Sequence, residues 1–346
     1  MARESLCGNC SVGSAMTEAT TQTQRAAVID CGTNMFTALI AEGSGDAWER
    51  KHVLRQPVFI GQGGFQNRSI RSDRFARGLD ALRTFHQALH NYNVKFVRLV
   101  GTSALRDASN GTAFAEAVHR QFGWDMGIIG GEEEADWIFR GVAQTLTDAL
   151  DRVLIMDIGG GSVEFVVAQR TGTGAWQSKA ALSLDAGVAR LEEFGKPSDP
   201  LGATGEERYR AFLDDIMEPL EAVLAEHRPT ALVGSSGSFD TFAEAVNGLH
   251  ANIPYLQRRD LEPIDRQALQ RLHRRLLTEP YEQRLKIPGM APARAKMIPL
   301  SSMLLMHVLG KIGPTATVYR SPFAMREGLM EDVWQHLCTG ASDQTN

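Results

Sequence analysis

The chain has 346 residues, of which 43% are hydrophobic and 22% are charged. This composition is typical of a soluble globular protein and too apolar for a disordered one. At about 150 residues per domain, the length predicts two domains. A net charge of −5 argues against a protein that coats nucleic acid or an anionic membrane. The net charge does not exclude a small anionic ligand, because a few arginines and backbone amides are enough to bind one.

The N-terminal segment, residues 1–24, is small and polar and lacks the apolar stretch of a signal peptide. We expect it to be a disordered tail. Cys7 and Cys10 form a C-x-x-C pair, but Cys31 and Cys338 offer no matching spacing for a zinc site. The pair is interpreted as functionless, with a metal or redox role as the alternative. Four cysteines make no disulfide framework, so a cytoplasmic location is expected.

The first structured segment, residues 26–43 (AAVIDCGTNMFTALIAEG), reads as a strand, a tight glycine turn and a second strand. Asp30 sits where the first strand ends, and Gly32, Thr33 and Asn34 make the turn. Such turns present N–H groups and hydroxyls in one concavity, and these nests hold phosphate oxygens. Glycine lets the backbone approach the anion closely.

A helix over residues 72–93, with one apolar face, precedes a strand at 94–100. The strand runs into a turn and a helix within residues 97–107 (VRLVGTSALRD), where Thr102 and Ser103 supply hydroxyls. The start of this second helix is a further candidate anion site.

A cluster of acids follows a predicted helix at 111–122 and a short strand that ends at Ile129. Glu132, Glu133 and Glu134 lie in the first turn of the next predicted helix. Acids at this position are a common stabilising pattern, worth about 0.3–1 kcal/mol each. The pattern alone therefore assigns them no chemistry.

Both earlier motifs recur, which indicates an internal duplication. Residues 153–170 (VLIMDIGGGSVEFVVAQR) repeat the hairpin, and Asp157 aligns with Asp30 at an offset of 157 − 30 = 127. Residues 230–240 (TALVGSSGSFD) repeat the strand–turn–helix. Two facing copies would form a cleft with phosphate-binding loops on both walls. An aspartate in each hairpin could hold a divalent cation beside the phosphates.

The remaining helices are predicted over residues 204–227, 238–249, 265–277, 291–309 and 324–338, with a strand before the last one. Strands that alternate with helices indicate the α/β class. The predicted domains are residues 25–145 and 146–323, and the C-terminal helix near 324–346 is expected to pack back on the first.

Together these motifs resemble the exopolyphosphatase and guanosine pentaphosphate phosphohydrolase (Ppx/GppA) family from about Ala26 to Met330. The matching segments are 30–34 (DCGTN), 101–107 (GTSALRD) with Asn110, 129–135 (IGGEEEA), 157–164 (DIGGGSVE), Gly187 with Arg190 and Leu191, 234–237, Gly289 with Arg294, and 326–329 (REGL). The resemblance is to the short members of the family. It implies an actin-like fold of two ribonuclease-H-like domains with an interdomain cleft. Departures such as Thr33 and Met35, where the family often has serine, keep the backbone donors and the carboxylates.

The resemblance implies hydrolysis of a terminal phosphoanhydride, in polyphosphate or in guanosine pentaphosphate. Such a transfer needs charge neutralisation, an in-line water and a base. Glu133 aligns with the first glutamate of the family's E-E-A element and is the expected base, with Glu132 and Glu134 as rivals. Arg106 is expected to neutralise charge in the transition state, because a guanidinium matches two phosphate oxygens.

The other implied site residues divide into metal ligands and phosphate contacts. Asp157, Glu164 and Asp30 are expected to hold Mg²⁺ or Mn²⁺, which prefer hard oxygen ligands. The expected phosphate contacts are Gly32, Thr33, Asn34, Thr102, Ser103, Gly159, Gly160, Gly161, Ser162, Gly234, Ser235 and Arg326. Arg326 could equally be an interdomain clamp.

Two other functions stay open at this point, a phosphotransferase of the same superfamily and a non-catalytic sensor of polyphosphate or an alarmone. Both candidate substrates present the same terminal phosphoanhydride, so the motifs do not distinguish them. By analogy a homodimer is expected, with no nucleic-acid or membrane partner.

Overall fold

Two mixed β-sheets with flanking helices make up residues 23–248 and 255–339, the part of the chain that the computed structural model describes. Cys7 and Cys10 lie outside these residues. Gln24 already belongs to the first strand, so the predicted tail is too long by that residue. No helix in the two ranges combines the length and the apolarity needed to cross a membrane.

Between residues 23 and 143 the structure has five strands and four helices. They are β1 (Gln24–Cys31), β2 (Met35–Ser44), β3 (Ala47–Pro57), α1 (Ser72–Asn91), β4 (Phe96–Gly101), α2 (Ser103–Asp107), α3 (Gly111–Phe122), β5 (Met126–Ile128) and α4 (Gly131–Ala143). From Ala26 to Ile29 the first strand is apolar and buried, and Asp30 follows near its C-terminal end.

The second half repeats this order with additional helices. Its elements are β6 (Arg152–Ile158), β7 (Val163–Arg170), β8 (Trp176–Leu184), α5 (Val188–Gly195), α6 (Gly202–Ile216), α7 (Glu218–His227), β9 (Ala231–Ser235), α8 (Ser236–Asn247), β10 (Glu262–Pro263), α9 (Arg266–Thr278), α10 (Tyr281–Arg284), α11 (Pro292–Ala295), α12 (Ile298–Ile312), β11 (Thr317–Arg320) and α13 (Met325–Thr339).

The two sheets share one topology. The first has the order β3-β2-β1-β4-β5, and the second, read from β8, has the order β8-β7-β6-β9-β11-β10. In the first sheet, β1 pairs antiparallel with β2 and parallel with β4. In the second sheet, β6 likewise pairs antiparallel with β7 and parallel with β9. The predicted α/β class with two similar domains is confirmed, and the repeated topology is what a duplication predicts.

Helices α4 and α13 lie between the two sheets and join them. Each follows the last parallel strand of its own sheet, yet α4 packs on β7 and β8 while α13 packs on β1 and β2. The two helices contact each other at glycines, since a Cβ at Gly328 of α13 would lie 2.1 Å from the Trp137 carbonyl oxygen and 2.9 Å from the Gly141 nitrogen of α4. We call residues 24–130 lobe one and residues 152–321 lobe two.

A half-buried histidine supplies a test of the packing in lobe two. His273 of α9 contacts α12, with its Nδ1 2.9 Å from the Ser302 hydroxyl. Burial lowers the pKa of His273 below its ordinary value of 6.5, because the interior disfavours the charged ring. As the pH falls below 6.5, the unfolded chain binds a proton at His273 more readily than the folded protein does. The contribution of His273 to stability is therefore lost as the pH falls.

We therefore expect the difference in unfolding free energy between the wild type and His273→Gln to change with pH. The advantage of the wild type should shrink between about pH 7.5 and about pH 5.5. Urea unfolding of both proteins at the two pH values measures it. A difference that does not vary with pH would contradict this account.

Candidate active site

A polar cleft of about 360 Å³ lies between the turns of the two hairpins. Asp30 of lobe one and Asp157 of lobe two both line it. The structure brings the following expected residues together in this cleft: Asp30, Gly32, Thr33, Asn34, Thr102, Ser103, Asp157, Gly159, Gly160, Gly161, Ser162, Glu164 and Arg326. The two copies of the hairpin therefore face a common space.

The turn Gly159–Gly161, which we call the glycine loop, is held from behind by the start of α5. The N–H groups of residues 187–190 donate to the three carbonyl oxygens of the loop at 2.8–3.3 Å. In a planar trans peptide the carbonyl and the following N–H point in opposite directions. The N–H groups of Gly160, Gly161 and Ser162 are therefore turned towards the cleft, as an anion-binding nest requires.

Glycine is required where the loops of the two lobes meet. A Cβ at Gly161 would lie 2.3 Å from the Ser103 hydroxyl, and one at Gly160 would lie 2.8 Å from Cβ of Thr33. The contacts leave no room for a side chain at either position. Backbone amides from one lobe and hydroxyls from the other thus border the same part of the cleft.

Asp157 and Glu164 are direct partners across the β6–β7 hairpin, which brings together two residues that are seven apart in sequence. One oxygen of Asp157 accepts hydrogen bonds from the hydroxyls of Ser235 and Ser236, both at 2.6 Å. Ser183 donates to Glu164 at 2.8 Å. The repeated strand–turn–helix therefore orients the aspartate of the repeated hairpin.

Two of the expected phosphate contacts lie outside the cleft lining. Ser235 is fully buried and bound to Asp157. Gly234 lies under Phe239, because a Cβ there would meet that ring at 1.9 Å. Ser235 orients the Asp157 carboxylate, and Gly234 leaves space for the Phe239 ring. This placement corrects the expectation that both residues contact phosphate.

The glutamate that enters the cleft is Glu134 rather than Glu133. The side chain of Glu133 is exposed, whereas Glu134 is 8% exposed and lines the cleft. Helix geometry explains the difference, because the buried face of α4 includes Ile138 and Gly141, four and seven residues after Glu134. Of the three candidates for the base, Glu134 is therefore the one that lines the cleft.

Arg106 contacts this glutamate from lobe one. Its Nη1 lies 3.3 Å from an oxygen of Glu134 and donates to the Ile129 carbonyl at 3.1 Å. Arg106 is not among the residues that line the cleft, whereas Arg55 and Arg294 are, although the sequence motifs assigned neither of these two to the site. Arg294 lies in a segment that matches the family, whereas no motif marks Arg55 on β3.

Four buried carboxyl groups of the cleft have raised pKa values, namely Asp30, Glu134, Asp157 and Glu164. Burial is the main cause in every case, and it raises the pKa values of Asp30 and Glu164 to about 7. Burial and the Glu164 carboxylate raise the pKa of Glu134 well above its usual range. Binding of a cation would favour the ionised forms of these carboxyl groups.

These carboxylates fit a hard divalent cation. No cluster of three or more His, Cys, Asp or Glu among residues 23–248 and 255–339 is arranged to enclose a metal ion. Mg²⁺ commonly uses one or two carboxylates together with waters and substrate phosphates, so such an enclosure is not needed. The Oδ1 oxygen of Asn34 is buried with no hydrogen-bond partner in the described residues, and it offers one more hard oxygen.

Comparison with known proteins identifies the family of the chain. The model of the Ppx/GppA phosphatase family matches residues 52–336. The chain belongs to this family.

Solved structures of the family share its architecture. An exopolyphosphatase from Cytophaga hutchinsonii is 31% identical, with a TM-score of 0.84 over 90% of this chain and 98% of that one. The Aquifex aeolicus Ppx/GppA family member is 22% identical, with a TM-score of 0.74 over 91% and 99%. The fold expected from the resemblance is confirmed.

Curated relatives are longer. A guanosine-5'-triphosphate,3'-diphosphate pyrophosphatase from Vibrio cholerae is 27% identical over 311 residues, which are 90% of this chain and 59% of the relative. The chain thus spans about three fifths of the length of the Ppx/GppA relatives that carry this name.

Proposed function

We propose that the chain hydrolyses the terminal phosphoanhydride of polyphosphate or of guanosine pentaphosphate and releases orthophosphate. The observation that carries this proposal is the placement of Glu134 and the glycine loop around one cleft between the lobes, with Arg106 paired to Glu134. A carboxylate, a guanidinium and inward amides are what transfer of a phosphoryl group to water needs. The family membership and the names of the relatives support it.

In this proposal the glycine loop and the lobe-one hydroxyls hold the terminal phosphate. Amides of Gly160, Gly161 and Ser162 approach it from lobe two, while Thr33 and Ser103 approach it from lobe one. The phosphate is thereby fixed for in-line attack.

Glu134 orients the attacking water and accepts its proton. Burial raises the pKa of Glu134, which makes its ionised form a stronger proton acceptor than an exposed glutamate. Arg106, 3.3 Å away, favours that ionised form and can contact the transferred group.

Asp157, Glu164 and Asp30 are the proposed ligands of the divalent cation. Bound there, Mg²⁺ or Mn²⁺ would neutralise phosphate charge and stabilise the transition state. The hydroxyls of Ser235 and Ser183 keep two of these carboxylates oriented towards the cleft.

Orthophosphate release tests the proposal. The purified chain is incubated with long-chain polyphosphate or guanosine pentaphosphate, each with Mg²⁺, Mn²⁺ or a chelator. We expect metal-dependent release from at least one substrate, without any acceptor nucleotide. Phosphate transfer only to an added acceptor would support a phosphotransferase, and tight binding without turnover would support a sensor. Either result would overturn the proposal.

A further inference from the structure

One arginine on α5 connects the glycine loop of lobe two to the part of lobe one that carries Arg106. The Nε of Arg190 donates to the Gly161 carbonyl at 2.9 Å. Its Nη2 donates to Asp107 at 2.5 Å and to Asp185 at 3.2 Å. Arg190 therefore binds the back of the glycine loop and a carboxylate across the cleft at once.

The Phe65 ring of lobe one also contacts the Arg190 guanidinium. The Arg190 guanidinium carbon lies 4.5 Å from the centre of the Phe65 ring, a distance at which a cation and a ring attract each other. The Arg190 side chain is 23% exposed and that of Asp107 is 27% exposed. The pair is therefore partly shielded from water, and its attraction exceeds that of a fully exposed ion pair.

Asp107 is the residue next to Arg106 and the last residue of α2. One of its oxygens lies 3.8 Å from the Arg106 Nε, and the other lies 3.5 Å from the Ser103 hydroxyl. Ser103 in turn faces Gly161, as the clash of a Cβ there shows. Asp107 thus touches two lobe-one side chains that border the reacting phosphate in the proposed function.

We propose that Arg190 and Asp107 form an interlobe latch that positions Arg106 and Ser103 against the glycine loop. Neither residue lines the cleft, so both are positioning residues that act through their neighbours. The latch exists only when the lobes are together, because its partners come from opposite lobes. It therefore favours the closed cleft, in which the amides and hydroxyls are aligned around one phosphate.

A double-mutant cycle tests the latch, and its kinetic part rests on the proposed function. The variants are Asp107→Asn, Arg190→Gln and the double variant, assayed by phosphate release. We expect each single variant to lose roughly tenfold in kcat/KM and the double variant to lose no more than either alone, since coupled residues are not additive. Arg190→Lys keeps the charge and should recover part of the loss. Arg210→Gln on α6, whose exposed side chain pairs with Glu206 of the same helix, is the matched control and should behave as wild type.

Small-angle scattering supplies a readout that does not require turnover. With tripolyphosphate and Mg²⁺ bound, Arg190→Gln should have a larger radius of gyration than the wild type, while thermal melting shows that it stays folded. If the wild type releases no phosphate, the proposed function fails and the scattering comparison still tests the latch. An unchanged radius of gyration, or losses that multiply in the double variant, would overturn the latch.

Discussion

Replacing Glu134 with glutamine should lower kcat by roughly 10²–10⁴-fold, the usual contribution of a general base. The substitution keeps the size of the side chain and its place on the buried face of α4 but removes the proton acceptor. Substrate binding should persist, because the amides and hydroxyls around the phosphate are untouched. Steady-state phosphate release and equilibrium binding of tripolyphosphate measure the two effects separately.

Glu133→Gln is the matched control for this prediction. It makes the same chemical change one residue earlier, on an exposed side chain of the same helix turn. Its kcat should stay close to that of the wild type. A large loss in Glu133→Gln with little change in Glu134→Gln would reverse the assignment and restore the expectation drawn from the sequence.

Gly187→Ala should abolish most of the activity although Gly187 makes no contact with substrate in this account. A Cβ at Gly187 would lie 2.4 Å from backbone atoms of Gly160 and Gly161. Backbone has no rotamer that could relieve this overlap, so α5 must move off the glycine loop and the loop amides must turn. We expect kcat/KM to fall about hundredfold, which is the cost of a displacement of about 1 Å in a catalytic site.

Gly310→Ala on α12 is the control for that substitution. No heavy atom lies within 4 Å of a Cβ at Gly310, so activity should be unchanged. Stability should rise by about 0.5–1 kcal/mol, since alanine is favoured over glycine inside a helix. Urea unfolding of both variants checks this and shows whether Gly187→Ala remains folded. A folded Gly187→Ala with full activity would contradict the role assigned to α5.

Features that repeat in the backbone pattern could be predicted from the sequence. Each hairpin is an apolar run, an aspartate and a glycine turn, and this order alone placed Asp30 and Asp157 at the strand ends that form the cleft. The second copy gave each motif independent support. One helix was predicted over residues 204–227, yet the chain has two, because Pro219 in the first turn of α7 lacks the N–H that a continuous helix needs.

The orientation of single side chains was harder to predict. Three consecutive glutamates begin α4, and alignment to a motif does not say which of them faces inward. Counting back by four and seven from Ile138 and Gly141 selects Glu134, because residues at these spacings share a helix face. That signal was present in the sequence.

Other parts of the site depend on tertiary contacts that no local pattern encodes. Ser235 lies in a glycine- and serine-rich turn like the phosphate contacts, yet it is buried against Asp157. Arg55 reaches the cleft from β3, which pairs with the hairpin strand β2. Both placements follow from how the strands and helices meet.

In the proposed function, the two Asp–Gly hairpins bind a chain-end phosphate while Glu134 holds the attacking water. The most direct measurement is a crystal structure of Glu134→Gln with tripolyphosphate and Mg²⁺. The account predicts the terminal phosphorus against the amides of Gly160 and Gly161, with a water in line and next to residue 134. A terminal phosphate bound outside the cleft, or one held by a single lobe far from residue 134, would contradict it.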